Sequence, residues 1–161
     1  MNINIRRMTP EDINDVMAID RASFSLPWPE RSFRFEVTEN PASRAWVAEV
    51  DGQIAGMIVL WLLVDEAHIA TIATHSAYRR QGIARGLLTH ALQSMKSEGA
   101  LTAVLEVRAS NEAAQEMYRR LGFVESGHRP RYYRDNDEDA ILMALESLNI
   151  ESLEGWKHAN M

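Results

Sequence analysis

The chain has 161 residues, enough for one domain with a sizeable core. Hydrophobic residues make up 46% and charged residues 25%, as in ordinary soluble proteins, and the formal net charge is −6. That balance argues against a partner bound through the phosphate field of bulk nucleic acid, and leaves room for a cationic substrate. With no cysteine, disulfides, thiolate metal sites and cysteine nucleophiles are excluded. The longest apolar run, Ile54 to Val64, is too short to span a bilayer, and the first residues, MNINIRRMTPED, lack the apolar core of a signal peptide. A cytoplasmic protein without a membrane partner is expected.

Asn2 to Arg6 alternates polar and apolar residues, as a short strand does. Thr9 can cap a helix with Pro10 in its first turn and Glu11 and Asp12 at its positive end, continuing through Ile13, Val16 and Met17. Phe24 to Pro29 (FSLPWP) is a loop, which Trp28 is expected to anchor. A second helix follows over about Glu30 to Glu39 and stops at Asn40-Pro41. Ala45 to Val50 and Gln53 to Val64 are strands, and Asp51-Gly52 between them signals a hairpin. Glu66 to Thr74 is a third strand. Residues 82–98 carry an apolar stripe at helical spacing, and Leu101 to Val107 is a buried-looking strand. Asn111 to Leu121 is a helix with Asn111 at its cap. Phe123 to Gly127 and Ala140 to Leu145 read as a final strand pair joined by a polar loop. The domain is expected to end near residue 145, and the tail 146–161 to form either a short helix or no fixed structure. A strand–helix–strand unit over 66–107 implies a parallel pair. The fold class is therefore α/β, a mixed, mostly antiparallel sheet with a central parallel βαβ pair and helices on both faces.

Two places carry chemistry. Arg79 to Gly86 (RRQGIARG) opens the long helix, where free N–H groups and the helix dipole make an anion site. Gly82 removes a side chain where a phosphate would approach. A basic helix start with two permissive glycines would give the same pattern. Glu106 stands in an otherwise apolar strand, TAVLEV, and a carboxylate there needs a partner or a task. It reads as an ion pair with Arg108 or another cation, or as a general base whose pKa burial raises. Tyr118 lies on the apolar side of its helix and by itself reads as a core aromatic. His68 begins the third strand and reads as a satisfied structural residue. The five histidines have no metal-ligand spacing, so no metal site is expected.

Arg79-x-x-Gly82-x-Ala84 resembles the acetyl-CoA signature of the GNAT superfamily of N-acetyltransferases, and the order of elements from about Ile3 to Leu145 is similar to theirs. Within it the chain resembles the RimI-type ribosomal-protein alanine N-acetyltransferases. The segments carrying the resemblance are FSLPWPERSF (24–33), WVAEVDGQIAG (46–56), HIATIATHSAYRRQGIARGLL (68–88), LEVRASNEAAQEMYRRLGF (105–123) and YYRDNDEDAILMAL (132–145). The tail past Leu145 has no counterpart. The resemblance implies that acetyl-CoA is the cosubstrate and that no metal is used. Its pantetheine arm would pair like a strand beside Ile72, Ala73 and Thr74. Its pyrophosphate would lie on Arg80, Gln81, Gly82, Ile83, Ala84 and Arg85, with a further contact from Asn111. The resemblance also makes Glu106 the proton acceptor and Tyr118 the proton donor, with a backbone N–H near Ile72 and Ala73 for the oxyanion. Glu36, Tyr132 and Tyr133 would wall a groove for the acceptor, the N-terminal peptide of a protein such as a ribosomal protein. An α-amine, pKa about 7.7–8.0, is on the order of a tenth neutral at pH 7, so one carboxylate acting through water suffices. A lysine or small-amine acetyltransferase, or a non-catalytic acetyl-CoA-binding module, stands as the alternative.

Overall fold

A computed structural model describes residues 2–148. The chain runs through β1 (Ile3–Arg7), a 3-10 turn (Pro10–Asp12), α1 (Ile13–Ser23), α2 (Glu30–Thr38), β2 (Ser43–Val50), β3 (Gln53–Leu63) and β4 (Glu66–Thr74). A second 3-10 turn (Ser76–Tyr78), α3 (Ile83–Ser97), β5 (Thr102–Arg108), α4 (Glu112–Arg120), β6 (Val124–Tyr133) and β7 (Glu138–Leu145) follow. Among the described residues the strands make one seven-stranded sheet, ordered β1-β2-β3-β4-β5-β7-β6. The β4–β5 pair is parallel and every other neighbouring pair antiparallel, as the sequence implies.

Local chemistry sets the ends of the elements. The Thr9 backbone N–H and hydroxyl both donate to Asp12, at 2.8 and 3.2 Å, and Arg6 holds the same carboxylate through two hydrogen bonds. Asp51 and Gly52 both take positive φ, closing the β2–β3 hairpin. Ile13, Val16, Met17 and Ile19 of α1 and Phe33 of α2 bury one face of the sheet against Val47, Met57 and Val59. Leu87, Leu88, Leu92 and Met95 of α3 bury the other face with Ile58, Leu60, Leu105 and Val107, and Leu148 joins that core beyond residue 145.

β4 and β5 pair only at their starts, through Glu66↔Thr102, Ala67↔Ala103 and His68↔Val104. Beyond that β4 stays with β3 as far as Thr74, and β5 stays with β7 as far as Arg108. The strands thus splay into a wedge. Its cause lies in β4: Val59 faces Thr71 but Leu60 faces Ile69, so Ala70 is an extra residue, and such a bulge bends its strand. Gly56 lets α3 close over the wedge, since a Cβ there would sit 2.7 Å from Ile83 Cγ2 and 3.1 Å from the Ala73 carbonyl.

The last hairpin differs from the expectation. Tyr132 and Tyr133 lie in β6, not in a loop, and the connection to β7 is the short turn 134–137. β6 is an edge strand, mostly exposed, whose pairing with β7 breaks between Glu125 and Gly127 and again between Arg129 and Tyr133. With no face to bury it carries no apolar alternation. The segment 149–161, expected as a short helix or disordered tail, lies outside the described residues. Among the described residues no helix is long and apolar enough to cross a membrane.

Candidate active site

The mouth of the wedge is built from backbone. Arg80 and Gly82 both have positive φ, 63° and 81°, and turn the chain into α3. The first intrahelical bond runs from the Gly86 N–H to the Gly82 carbonyl at 2.9 Å, so the N–H groups of Ile83, Ala84 and Arg85 precede the helical ladder. Space in front of Gly82 is open: a Cβ built there meets nothing within 4 Å. Arg85 Nε is buried without a hydrogen-bond partner among the described residues. A positive helix end, a concave turn and an unsatisfied guanidinium nitrogen fit a phosphate group. Ile83 can serve it only through its N–H, because its side chain is core. Ile72, Ala73 and Thr74 run along the edge of β4 that β5 leaves unpaired. Asn111 caps α4 by accepting from the Ala114 N–H at 3.2 Å, which leaves its Nδ2 amide for other contacts.

Side-chain alternation sends Ala103, Leu105 and Val107 of β5 to the α3–α4 core, and Val104, Glu106 and Arg108 to the opposite face. There Glu106 Oε2 and His68 Nε2 lie 2.8 Å apart, each side chain about a fifth exposed. The expectation of a burial-raised carboxyl fails. The hydrogen bond to His68 outweighs desolvation and holds Glu106 below its usual value, while the same bond raises His68. Of the expected ion pair with Arg108 or another cation, the second holds: His68 is the partner, while Arg108 binds Asp135 at 2.9 Å and Glu138 at 3.2 Å. Tyr118, 5% exposed, lies in the α3–α4 core with its ring against Phe123. It therefore sits across the sheet from Glu106, and burial pushes its phenol well above the ordinary tyrosine pKa.

Around Glu106 stand two walls. In the loop 24–29, the Trp28 N–H donates to Asp20 Oδ2 at 2.7 Å, and the Trp28 ring packs on Phe33, so Trp28 anchors the loop as expected. Asp20 is 1% exposed, and burial raises its pKa. The other wall is the β6–β7 end. The Arg108 guanidinium lies 4.1 Å over the ring of Tyr133, which packs edge-on against exposed Tyr132. Burial pushes the Tyr133 phenol up to about 12. The Ser25 hydroxyl donates to Asp135, so the walls meet through a carboxylate that Arg108 also holds. A cavity of about 280 Å³ adjoins the pair, lined in part by Glu66, His68, Glu106, Arg129 and Leu142. Glu36 is not at its surface. It is 9% exposed, and its Oε2 accepts from Trp61 Nε1 at 3.0 Å and Asn40 Nδ2 at 2.9 Å.

Sequence reasoning thus reads His68 as structural and Arg108 as a candidate partner of Glu106, and passes over Asp135 and Trp61. His68 had a usable signal. Once 66–74 and 101–107 are taken as parallel neighbours, a polar residue inside each strand is a candidate pair.

Known proteins carry the same architecture. Residues 13–123 match the model of the acetyltransferase (GNAT) family. The [ribosomal protein bS18]-alanine N-acetyltransferase of Escherichia coli (strain K12) is 34% identical over 152 residues, 88% of this chain and 95% of that protein. A Bacillus subtilis (strain 168) protein that bears this name provisionally is 40% identical over 139 residues, 86% of this chain and 92% of its own length. The crystal structure of the ribosomal-protein-S18-alanine N-acetyltransferase from Escherichia coli superposes with a TM-score of 0.83 at 33% identity, covering 93% of this chain and 97% of that one. With the family model spanning the region from α1 to the end of α4, the chain belongs to the acetyltransferase (GNAT) family.

Proposed function

We propose that this enzyme transfers the acetyl group of acetyl-CoA to the α-amino group of a protein N-terminus, a ribosomal protein with a small first residue. The observation that carries the reading is the Glu106–His68 pair, set beside a cavity at a wedge whose mouth presents backbone N–H groups ahead of the α3 helical ladder. The relatives named for alanine N-acetylation of bS18 support the acceptor class.

In this reading the N–H groups at the start of α3 and Arg85 hold the pyrophosphate, and the open edge of β4 at Ile72–Thr74 orients the pantetheine. A backbone N–H near Ile72 and Ala73 faces the developing oxyanion. Glu106 takes the proton of the attacking amine, directly or through a water in the adjoining cavity. His68 sets when it can do so. While the imidazole is protonated the pair is neutral and its carboxylate a weak base. Once His68 loses its proton, above its ordinary pKa, the pair carries one negative charge and attracts the ammonium it must deprotonate. Tyr118, whose buried phenol keeps its proton, gives it to the thiolate that departs within the β4–β5 wedge, becoming a phenolate that solvent reprotonates. The loop 24–29, Tyr132 and Tyr133 hold the acceptor chain.

Mass spectrometry of peptides incubated with enzyme and acetyl-CoA tests this. Acetylation should fall on the α-nitrogen and stop when that nitrogen is blocked and an internal lysine is left free. Efficient transfer to the lysine overturns the acceptor assignment.

A further inference from the structure

We infer that Trp61 is a positioning residue for the His68–Glu106 pair, and that buried Glu36 serves the site by holding Trp61. The kinetic consequence rests on the reading of Glu106 as proton acceptor; the contact with His68 does not.

Trp61 on β3 and His68 on β4 are direct cross-strand partners, so both side chains leave the same face of the sheet. Their ring centroids are 5.4 Å apart with planes at 77°. The indole thus closes one side of the imidazole, while Nε2 is directed at Glu106, 2.8 Å away. The indole is itself fixed from behind, because Nε1 donates to Glu36 Oε2. That carboxylate is almost fully buried, and its two hydrogen bonds come from uncharged donors, Trp61 and Asn40. A buried carboxylate is costly as core filling. Here it pins one rotatable ring, and that ring pins a second.

His68 is faced by Trp61 from β3, Glu106 from β5, Glu66 from its own strand and Arg129 from β6, with Glu36 of α2 behind Trp61. Among these, the hydrogen bond that His68 donates to Glu106 does most to keep a proton on His68. Losing the indole frees the imidazole to turn away from Glu106 and weakens that bond. His68 then titrates lower and Glu106 higher, with no change in the donor site across the sheet.

The test is an NMR titration of the His68 ring in the full chain, with kcat and peptide KM measured against pH alongside. Trp61→Leu should lower the His68 pKa by about half a unit or more and move the acid limb of kcat with it, at unchanged acetyl-CoA affinity. Trp61→Phe, which keeps a ring beside the imidazole, should restore most of the shift. Glu36→Gln keeps an oxygen for Trp61 and Asn40 and should leave the titration in place; Glu36→Ala should move it in the Trp61→Leu direction. An unmoved His68 in folded Trp61→Leu overturns the inference. If that variant does not fold, Glu36→Ala decides on the intact indole: a lowered His68 pKa supports the inference and an unmoved one overturns it. A Glu36→Gln variant that raises peptide KM while His68 titrates normally overturns the role given to Glu36. A shifted His68 with an unshifted kcat profile upholds the positioning contact and assigns the failure to Glu106 as base.

Discussion

The two sides of the β4–β5 wedge are made of different material. The side proposed for the acetyl donor is backbone: a positive-φ turn at Arg80 and Gly82, the first N–H groups of α3 and a strand edge that β5 leaves unpaired. The side proposed for the acceptor is side chains: Glu106 on His68, Arg108 between Asp135 and Glu138, Tyr133 under Arg108 and Ser25 on Asp135. Backbone donors come from a fold and from a glycine, so such a site tolerates many side chains and asks for few. A side-chain network assigns each residue one task, and a single atom's change should register in turnover. Donor-side substitutions should therefore act on acetyl-CoA affinity, and acceptor-side ones on rate and peptide KM.

The largest expected effect is Glu106→Gln, which keeps the shape and removes the proposed base. Its kcat should fall by about 10²–10⁴ at neutral pH while acetyl-CoA affinity, read by calorimetric titration, stays within about twofold. The loss should shrink as pH rises, because more of the α-amine arrives neutral. Wild-type turnover in this variant would remove the acceptor half of the comparison. Tyr118→Phe keeps the core packing against Phe123. It should lower kcat by about tenfold, at the bottom of the acid–base range or below it, since a thiolate leaves readily.

Gly82→Ala probes the donor side. Open space in front of Gly82 means that the added methyl meets no protein atom, so the cost is the backbone conformation, φ 81°. That strain is roughly 1–2 kcal/mol. A turn that relaxes to relieve it withdraws its N–H groups, so acetyl-CoA should bind about tenfold more weakly with kcat at saturation little changed. Equal affinity in the folded variant would mean that the α3 turn does not carry the phosphates. Arg108→Gln should do the converse, raising peptide KM by about two- to fivefold and leaving acetyl-CoA KM alone, because its partners are surface carboxylates.

The same contrast explains what could be read from the residues alone. Asp51-Gly52, the stripe Leu87–Leu88–Leu92–Met95 and Gly82 carry local signals of conformation, and the elements they specify form as expected. β6 has no such signal: VESGHRPRYY is an exposed edge with a proline and a broken register, so Tyr132 and Tyr133 looked like loop. Glu106 was legible because a lone carboxylate interrupts an apolar strand. Its partner, His68, lies 38 positions away, and it becomes legible only when the parallel pair that the sequence implies is used to set polar positions of the two strands side by side. The Ser25–Asp135 contact, 110 positions apart, and the burial of Glu36 behind Trp61 likewise depend on how α2 and the last hairpin settle on the sheet.

The smallest expected effect concerns stability, and its pH dependence separates an ion pair from packing. Folded His68 binds its proton more tightly than the unfolded chain does, so its contribution is complete below the ordinary imidazole pKa and is lost as pH rises through the raised value. Folded Glu106 binds its proton more weakly, so its contribution is complete above the ordinary carboxyl pKa and is lost as pH falls through the lowered value. Both are complete together only between the two ordinary values. His68→Gln keeps a polar side chain of similar reach but cannot carry the charge. Its Tm should fall below wild type by roughly 1–3 °C near pH 5.5, and by less near pH 9 and near pH 3, the pair being partly solvated and so partly screened. Thermal melts of both proteins across that range decide it. A deficit of the same size at every pH would mean that His68 stabilises by packing against Trp61, and that its charge does not couple to Glu106.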